Sequence, residues 1–111
     1  MAKISNILRS VAGNGLSFWC PGCETLHQIN VGIGTGPRWG WNNSVDKPTF
    51  TPSILVTYPA VPDAEEDFKE WRTARVCHSF VTDGNIQFLS DCTHSLAGQT
   101  IPIPTLPKWL Q

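Results

Sequence analysis

Four cysteines and three histidines are the residues of this 111-residue chain whose chemistry is most distinctive. Cys20 and Cys23 frame Pro21 and Gly22 in a CPGC motif. Two thiolates two residues apart can grip one metal ion while the backbone between them turns. Pro fixes φ at the first intervening position, and Gly permits a tight bend at the second. The same spacing serves redox enzymes, in which one thiol attacks and the other resolves. That reading wants the motif at a helix N-terminus in a βαβ setting, whereas Glu24 to Val31 alternates like a strand. Four cysteines also allow three disulfide pairings. In a reducing cytosol, clustered cysteines read better as metal ligands.

The second cysteine pair lies in CHSFVTDGNIQFLSDCTH, Cys77 to His94. Asp83-Gly84 between alternating apolar runs predicts a tight β-hairpin, because such turns need positive φ. The strands are expected at 76–81 and 86–91, with Thr82 facing Asn85 and Cys77 facing Ser90. Side chains alternate with period two, so Cys77 and Cys92 fall on one face, and His78 and Asp91 on the other. With the CPGC pair this predicts a Zn²⁺ site of Cys20, Cys23, Cys77 and Cys92. The alternative is three cysteines and a histidine, with His94 replacing Cys77 or Cys92. His27, four residues after Cys23, is either a further ligand or an ordinary strand histidine. A four-ligand site would be structural and would supply folding free energy.

An enzyme reading uses the groups left over. His78 and Asp91 sit diagonally on one hairpin face, so the carboxylate could orient the imidazole. With His27 or His94 they would form an acid–base cluster for a zinc-dependent hydrolase with an open metal position. No catalytic triad is legible in the sequence, and the balance leans away from an enzyme.

The elements that must position these groups are short. Nine Gly, nine Pro and five Trp argue against a helical bundle and for strands joined by turns. Residues 4–12 carry helical periodicity, but the Gly13-Asn14-Gly15 cluster favours a strand–turn–strand reading. Trp39 and Trp41 flank Gly40 and either cap the core or line a binding pocket. One helix is expected over about 63–74, with Asp63 as N-cap, Glu66 completing a capping box, and Ala64, Phe68 and Trp71 as its packing stripe. Residues 101–111 are proline-rich and should run extended, as a packed or docking tail. Overall, residues 1–111 read as a single β-rich α+β domain with small zinc-ribbon-like antiparallel hairpins. A formal charge of −1 gives no basic footprint for nucleic acid. No apolar run reaches membrane-spanning length, and no secretory signal is apparent, so the default location is cytoplasmic.

FWCPGCETLH, WGWNN, PTFTPSILV and CHSFVTDGNIQFLSDCTHSLAGQT together resemble a family of small bacteriophage and prophage proteins of unknown function. Members are sometimes loosely labelled "ammonia monooxygenase", a label that the residue types here do not support. The resemblance spans most of residues 5–100. It implies a phage-encoded protein acting in the infected host. The expected job is binding a host or phage macromolecule, with a minor virion component as a further alternative.

Overall fold

The computed structural model describes residues 3–111. Its strands are β1 (Arg9–Val11), β2 (Gly15–Cys20), β3 (Thr25–Asn30), β4 (Gly40–Trp41), β5 (Phe50–Tyr58), β6 (Arg75–Thr82), β7 (Asn85–Phe88) and β8 (Thr100–Pro102). They form two antiparallel sheets, β1-β2-β3 and β4-β5-β6-β7-β8. Residues 9–20 are a hairpin, as the Gly-Asn-Gly cluster demands. Gly13 and Asn14 both take positive φ there, at 77° and 62°. Among the described residues no helix is long and apolar enough to cross a membrane.

The core lies between the sheets. Leu8, Leu16, Phe18 and Ile29 come from the first sheet and its entry, and Phe50, Ile54, Val81, Ile86 and Phe88 from the second. Cys20 and Cys77 are buried in the same cluster. Period-two alternation explains this: on β6 and β7, Cys77, Ser79, Val81, Ile86 and Phe88 face in.

The β6–β7 hairpin turns at Asp83 and Gly84, both at positive φ (49° and 78°), and pairs Thr82 with Asn85. One expectation needs correction. β7 stops at Phe88, so no strand pairing places Cys77 opposite Ser90. From Leu89 the chain turns, closed by the Cys92 N–H donating to the Leu89 carbonyl at 3.2 Å. Beyond Phe88 strand parity therefore no longer decides where a side chain points.

The expected helix is also corrected. Residues 66–72 form a 3-10 helix broken at Phe68 (φ −123°, ψ 31°), with Glu65 rather than Asp63 at its N-cap position and no side-chain cap. It buries no residue. The break removes the i, i+4 stripe, so Phe68 and Trp71 pack on each other at 4.6 Å near the surface. Arg75 lies over the Tyr58 and Trp71 rings at 4.5 and 4.9 Å. The C-terminal segment packs on the body: β8 pairs with β7, and Ile103, Leu106 and Leu110 are buried. Trp109 is 75% exposed and meets Trp19 edge-on at 6.1 Å.

Candidate active site and metal centre

Two sites flank β6, one on each face. The inner one gathers Cys20, Cys23, Cys77 and His94, whose ligand atoms all lie within 4.8 Å of one another. Cys20 ends β2, Cys23 follows in the CPGC turn, Cys77 comes from β6, and His94 comes from the segment after the Leu89–Cys92 turn. The turn is tight. The Glu24 N–H donates to the Cys20 carbonyl at 2.8 Å, and the Cys23 N–H points at the Cys20 sulfur at 3.4 Å. Cys20 and Cys77 Sγ are 3.9 Å apart, and His94 Nε2 is 3.5 Å from Cys77 Sγ. Phe88 holds the imidazole edge-on at 4.6 Å. Three sulfurs and an imidazole nitrogen in this arrangement could hold a metal ion.

The electrostatics suit a cation. Hydrogen bonding from the Cys20 and Cys77 thiols holds the Cys23 pKa far below the usual thiol range. The same contacts with Cys20 and Cys23 push that of Cys77 far above it. Crowded sulfurs thus share negative charge unequally, and a bound cation would let them all ionise. Burial also pushes the Tyr58 hydroxyl up, reinforced by the negative charge of Cys23. His27 is buried beside this group but is not one of the four. Burial opposes its charge, yet Cys20 and Cys23 outweigh that and raise its pKa to about 9.

Gly22 has a role different from the bend expected of it. It is not at positive φ; instead, a Cβ there would run into the His94 imidazole. Gly22→Ala is therefore expected to displace His94 and weaken metal affinity by about 10-fold or more, read by competition with a chromogenic chelator.

Cys92 is the correction to the expected ligand set. The Leu89–Cys92 turn carries its sulfur to the His78 backbone, where it accepts the His78 N–H and faces the His78 carbonyl, each at 3.2 Å. His94 takes the fourth place. Cys92→Ala is expected to leave the bound metal in place, measured by elemental analysis. It should cost about 1–3 kcal/mol, because the His78 N–H loses its acceptor.

The outer site is built on that clamped histidine. His78 Nδ1 lies 3.0 Å from Asp91 Oδ2, and His78 Nε2 lies 3.0 Å from Ser53 Oγ. One imidazole thus joins a carboxylate on one nitrogen to a hydroxyl on the other. The His78–Asp91 pair was legible in the sequence, although Asp91 arrives on a turn and not on the strand. His27 and His94, the expected companions, lie by the cysteines instead.

Ser53 was missed. It sits where β5 bulges: Phe50 pairs with Val81 and Ile54 with Ser79, so three residues of β5 oppose Phe80 alone. The Thr51–Pro52 peptide within the bulge is cis. A bulge redirects side chains, and bulges recur beside active sites. The Trp39 indole N–H donates to the Ser53 carbonyl at 3.2 Å, and Trp41 stacks on Phe50 at 6.5 Å. The two tryptophans therefore brace the bulge. The one sequence signal was PTFTPS, whose prolines sit poorly in a regular strand.

His78 can take a proton from Ser53 Oγ while Asp91 holds the Nδ1 proton and steadies the imidazolium that forms. The arrangement has the parts of a serine nucleophile with its base and its orienting acid. No curated protein and no solved structure matches the chain. Residues 2–89, which hold Ser53, His78 and three of the four cysteines but neither Asp91 nor His94, match the family described as bacterial ubiquitination-like system serine protease (BubE). The chain belongs to the BubE family.

Proposed function

We infer that the chain is a serine peptidase with Ser53 as nucleophile, His78 as general base and acid, and Asp91 as the group that orients His78. The carrying observation is the pair of 3.0 Å contacts through opposite nitrogens of the His78 ring. Ser53 Oγ attacks a carbonyl carbon as its proton passes to His78 Nε2. The same proton then goes to the departing amine, leaving an acyl group on Ser53. Water repeats the cycle and frees the acid. In keeping with the family's description, the substrates are proteins of a bacterial ubiquitination-like system.

The metal is zinc, and its role is structural. Cys20, Cys23, Cys77 and His94 would supply four protein ligands, the closed set of a structural site, and would leave no position for water. The β2–β3 hairpin with its CPGC turn is the part of the chain that fits the zinc-ribbon expectation. The ion would tie β2 of one sheet to β6 of the other, one residue from His78, and to His94, three residues from Asp91. It supplies a fixed cross-link when bound, while proton transfer belongs to His78. The hydrolase reading is preferred to a non-catalytic binding module because a module needs no hydroxyl aligned on a carboxylate-backed imidazole.

The test is covalent. A fluorophosphonate probe is expected to label the chain once, at Ser53 by peptide mapping. Labelling elsewhere, or none on metal-loaded folded protein, would sink the reading.

A further inference from the structure

The β5 strand offers a backbone edge that runs straight up to Ser53. The Val76 carbonyl accepts from Thr93 N–H at 2.9 Å, and the Val76 N–H donates to Thr93 Oγ1 at 3.0 Å. The His78 carbonyl accepts from Leu89 N–H at 2.9 Å, and the His78 N–H goes to Cys92. The main-chain groups of Val76 and His78 therefore point away from β5. Leu55 pairs with His78 and Thr57 with Val76. In an antiparallel ladder, pairs that do not exchange hydrogen bonds turn their N–H and C=O groups outward on both strands. Leu55 and Thr57 thus present theirs to the far side of β5.

On that side β4 pairs only with Phe50 and Thr51. Its upstream residues leave the sheet at once: Trp39 bridges to Val31, Arg38 bonds the Gly13 carbonyl at 2.9 Å, and Pro37 has no N–H to give. Among the described residues no strand covers β5 beyond Thr51. Natural edges are normally blunted by charge or proline. Ser53 to Tyr58, reading SILVTY, carries neither. Leu55, directly opposite His78, is 57% exposed, and Phe80, two residues along β6 from His78 and so on the same face, is 42% exposed.

We propose that this edge is the substrate groove: an extended segment of the substrate polypeptide adds to β5 as a further strand, hydrogen-bonded to Leu55 and Thr57, with an apolar side chain against Leu55 and Phe80 and its scissile carbonyl at Ser53. The inference rests on the serine peptidase reading and names how that site takes its substrate. Strand addition draws affinity from main-chain bonds, and side-chain contacts at alternate positions supply selectivity. The occupant is therefore a flexible segment or chain end, not a folded surface.

The test uses the metal-loaded full chain and a library of acetyl-tetrapeptidyl aminomethylcoumarins. The best substrate is remade with a single N-methyl group at each backbone nitrogen in turn. Losses in kcat/KM of about tenfold are expected at alternate positions only, since alternate N–H groups face the edge. Thr57→Pro removes one edge donor that the β5–β6 ladder does not use. The ratio of peptide to p-nitrophenyl acetate turnover should fall by about tenfold. Uniform or absent sensitivity to N-methylation, or an unchanged ratio in Thr57→Pro, would overturn the proposal. If the wild-type chain neither takes the fluorophosphonate nor hydrolyses the ester, the peptidase reading falls and this inference falls with it.

Discussion

Ser53→Ala is expected to reduce peptide hydrolysis by at least about 10⁴-fold while leaving the fold intact. The size follows from what is removed. Without the hydroxyl no acyl intermediate forms, and His78 and Asp91 have no proton to move, so members of such a group fail together. The fold should survive because, among the described residues, Ser53 Oγ makes one hydrogen bond, to His78. The Ser53 carbonyl, which the Trp39 indole holds, is main chain and stays. His78 is only half-buried, so its freed nitrogen can turn to water. Thermal melting should shift by no more than a few degrees. Single-turnover assays on the best coumarin peptide give the rate. A Ser53→Ala chain that cleaves peptides at the wild-type rate would remove Ser53 from the mechanism, even if the probe reacts there.

Removing the metal should cost stability and activity together. The four ligand groups come from both sheets and from the segment that follows Asp91. In the metal-free chain, three buried or half-buried thiols and an imidazole crowd within 4.8 Å, and the neighbouring His27, its pKa raised by Cys20 and Cys23, can offset only one negative charge. A strong chelator, or Cys77→Ser, is expected to cost about 3 kcal/mol or more, a fall in Tm of roughly 10 °C for a domain of this size. The active site should feel the same loss. Cys77 is bonded in sequence to His78, and His94 lies three residues from Asp91, so loosening either ligand loosens the 3.0 Å contacts at His78. Fluorophosphonate labelling and melting, followed during titration with chelator, should fall in step and recover when zinc is returned. Binding also becomes pH-dependent. Hydrogen bonding raises the Cys77 pKa well above its ordinary value, so an added metal has to displace that proton. Affinity should therefore weaken as pH falls. If stability drops on chelation while labelling stays complete, the two sites are independent and the coupling argument is wrong.

Much of the local structure was legible because local rules governed it. Asp83-Gly84 requires positive φ at both positions, which fixes the β6–β7 turn and the Thr82–Asn85 pairing. Period-two alternation then buries Cys77, Ser79 and Val81 and turns His78 outward. CPGC announced a sulfur pair, and Gly13-Asn14-Gly15 announced the first hairpin. The motifs CPGC, PTFTPS, CHSF and DCTH together contain Ser53 and every other residue of the two sites. Their residue types set the available chemistry: soft sulfur ligands for a metal, and an imidazole with a nearby carboxylate for proton transfer.

Assignment of roles depended on where strands stop. Because β7 ends at Phe88, the Leu89–Cys92 turn exchanges the parts of two neighbours: Cys92 goes to the His78 backbone and His94 to the cysteines. Parity along a strand cannot foresee this, since it holds only while the ladder continues. Ser53 was hidden for a related reason. A serine is common and carries no charge, and only a bulge 25 residues before His78 in the chain brings its Oγ to the His78 Nε2. The helix expected over about 63–74 did not form, because capping and stripe rules assume regular i, i+4 geometry, and the 3-10 segment at 66–72 breaks at Phe68. The sequence by itself thus determined which groups could bind metal or move protons, since those are properties of side chains. Only the tertiary structure decided that three cysteines and His94 form one site and that Ser53, His78 and Asp91 form the other. Both depend on distances of a few ångströms between residues up to 74 positions apart, which contacts across two sheets set and sequence spacing does not.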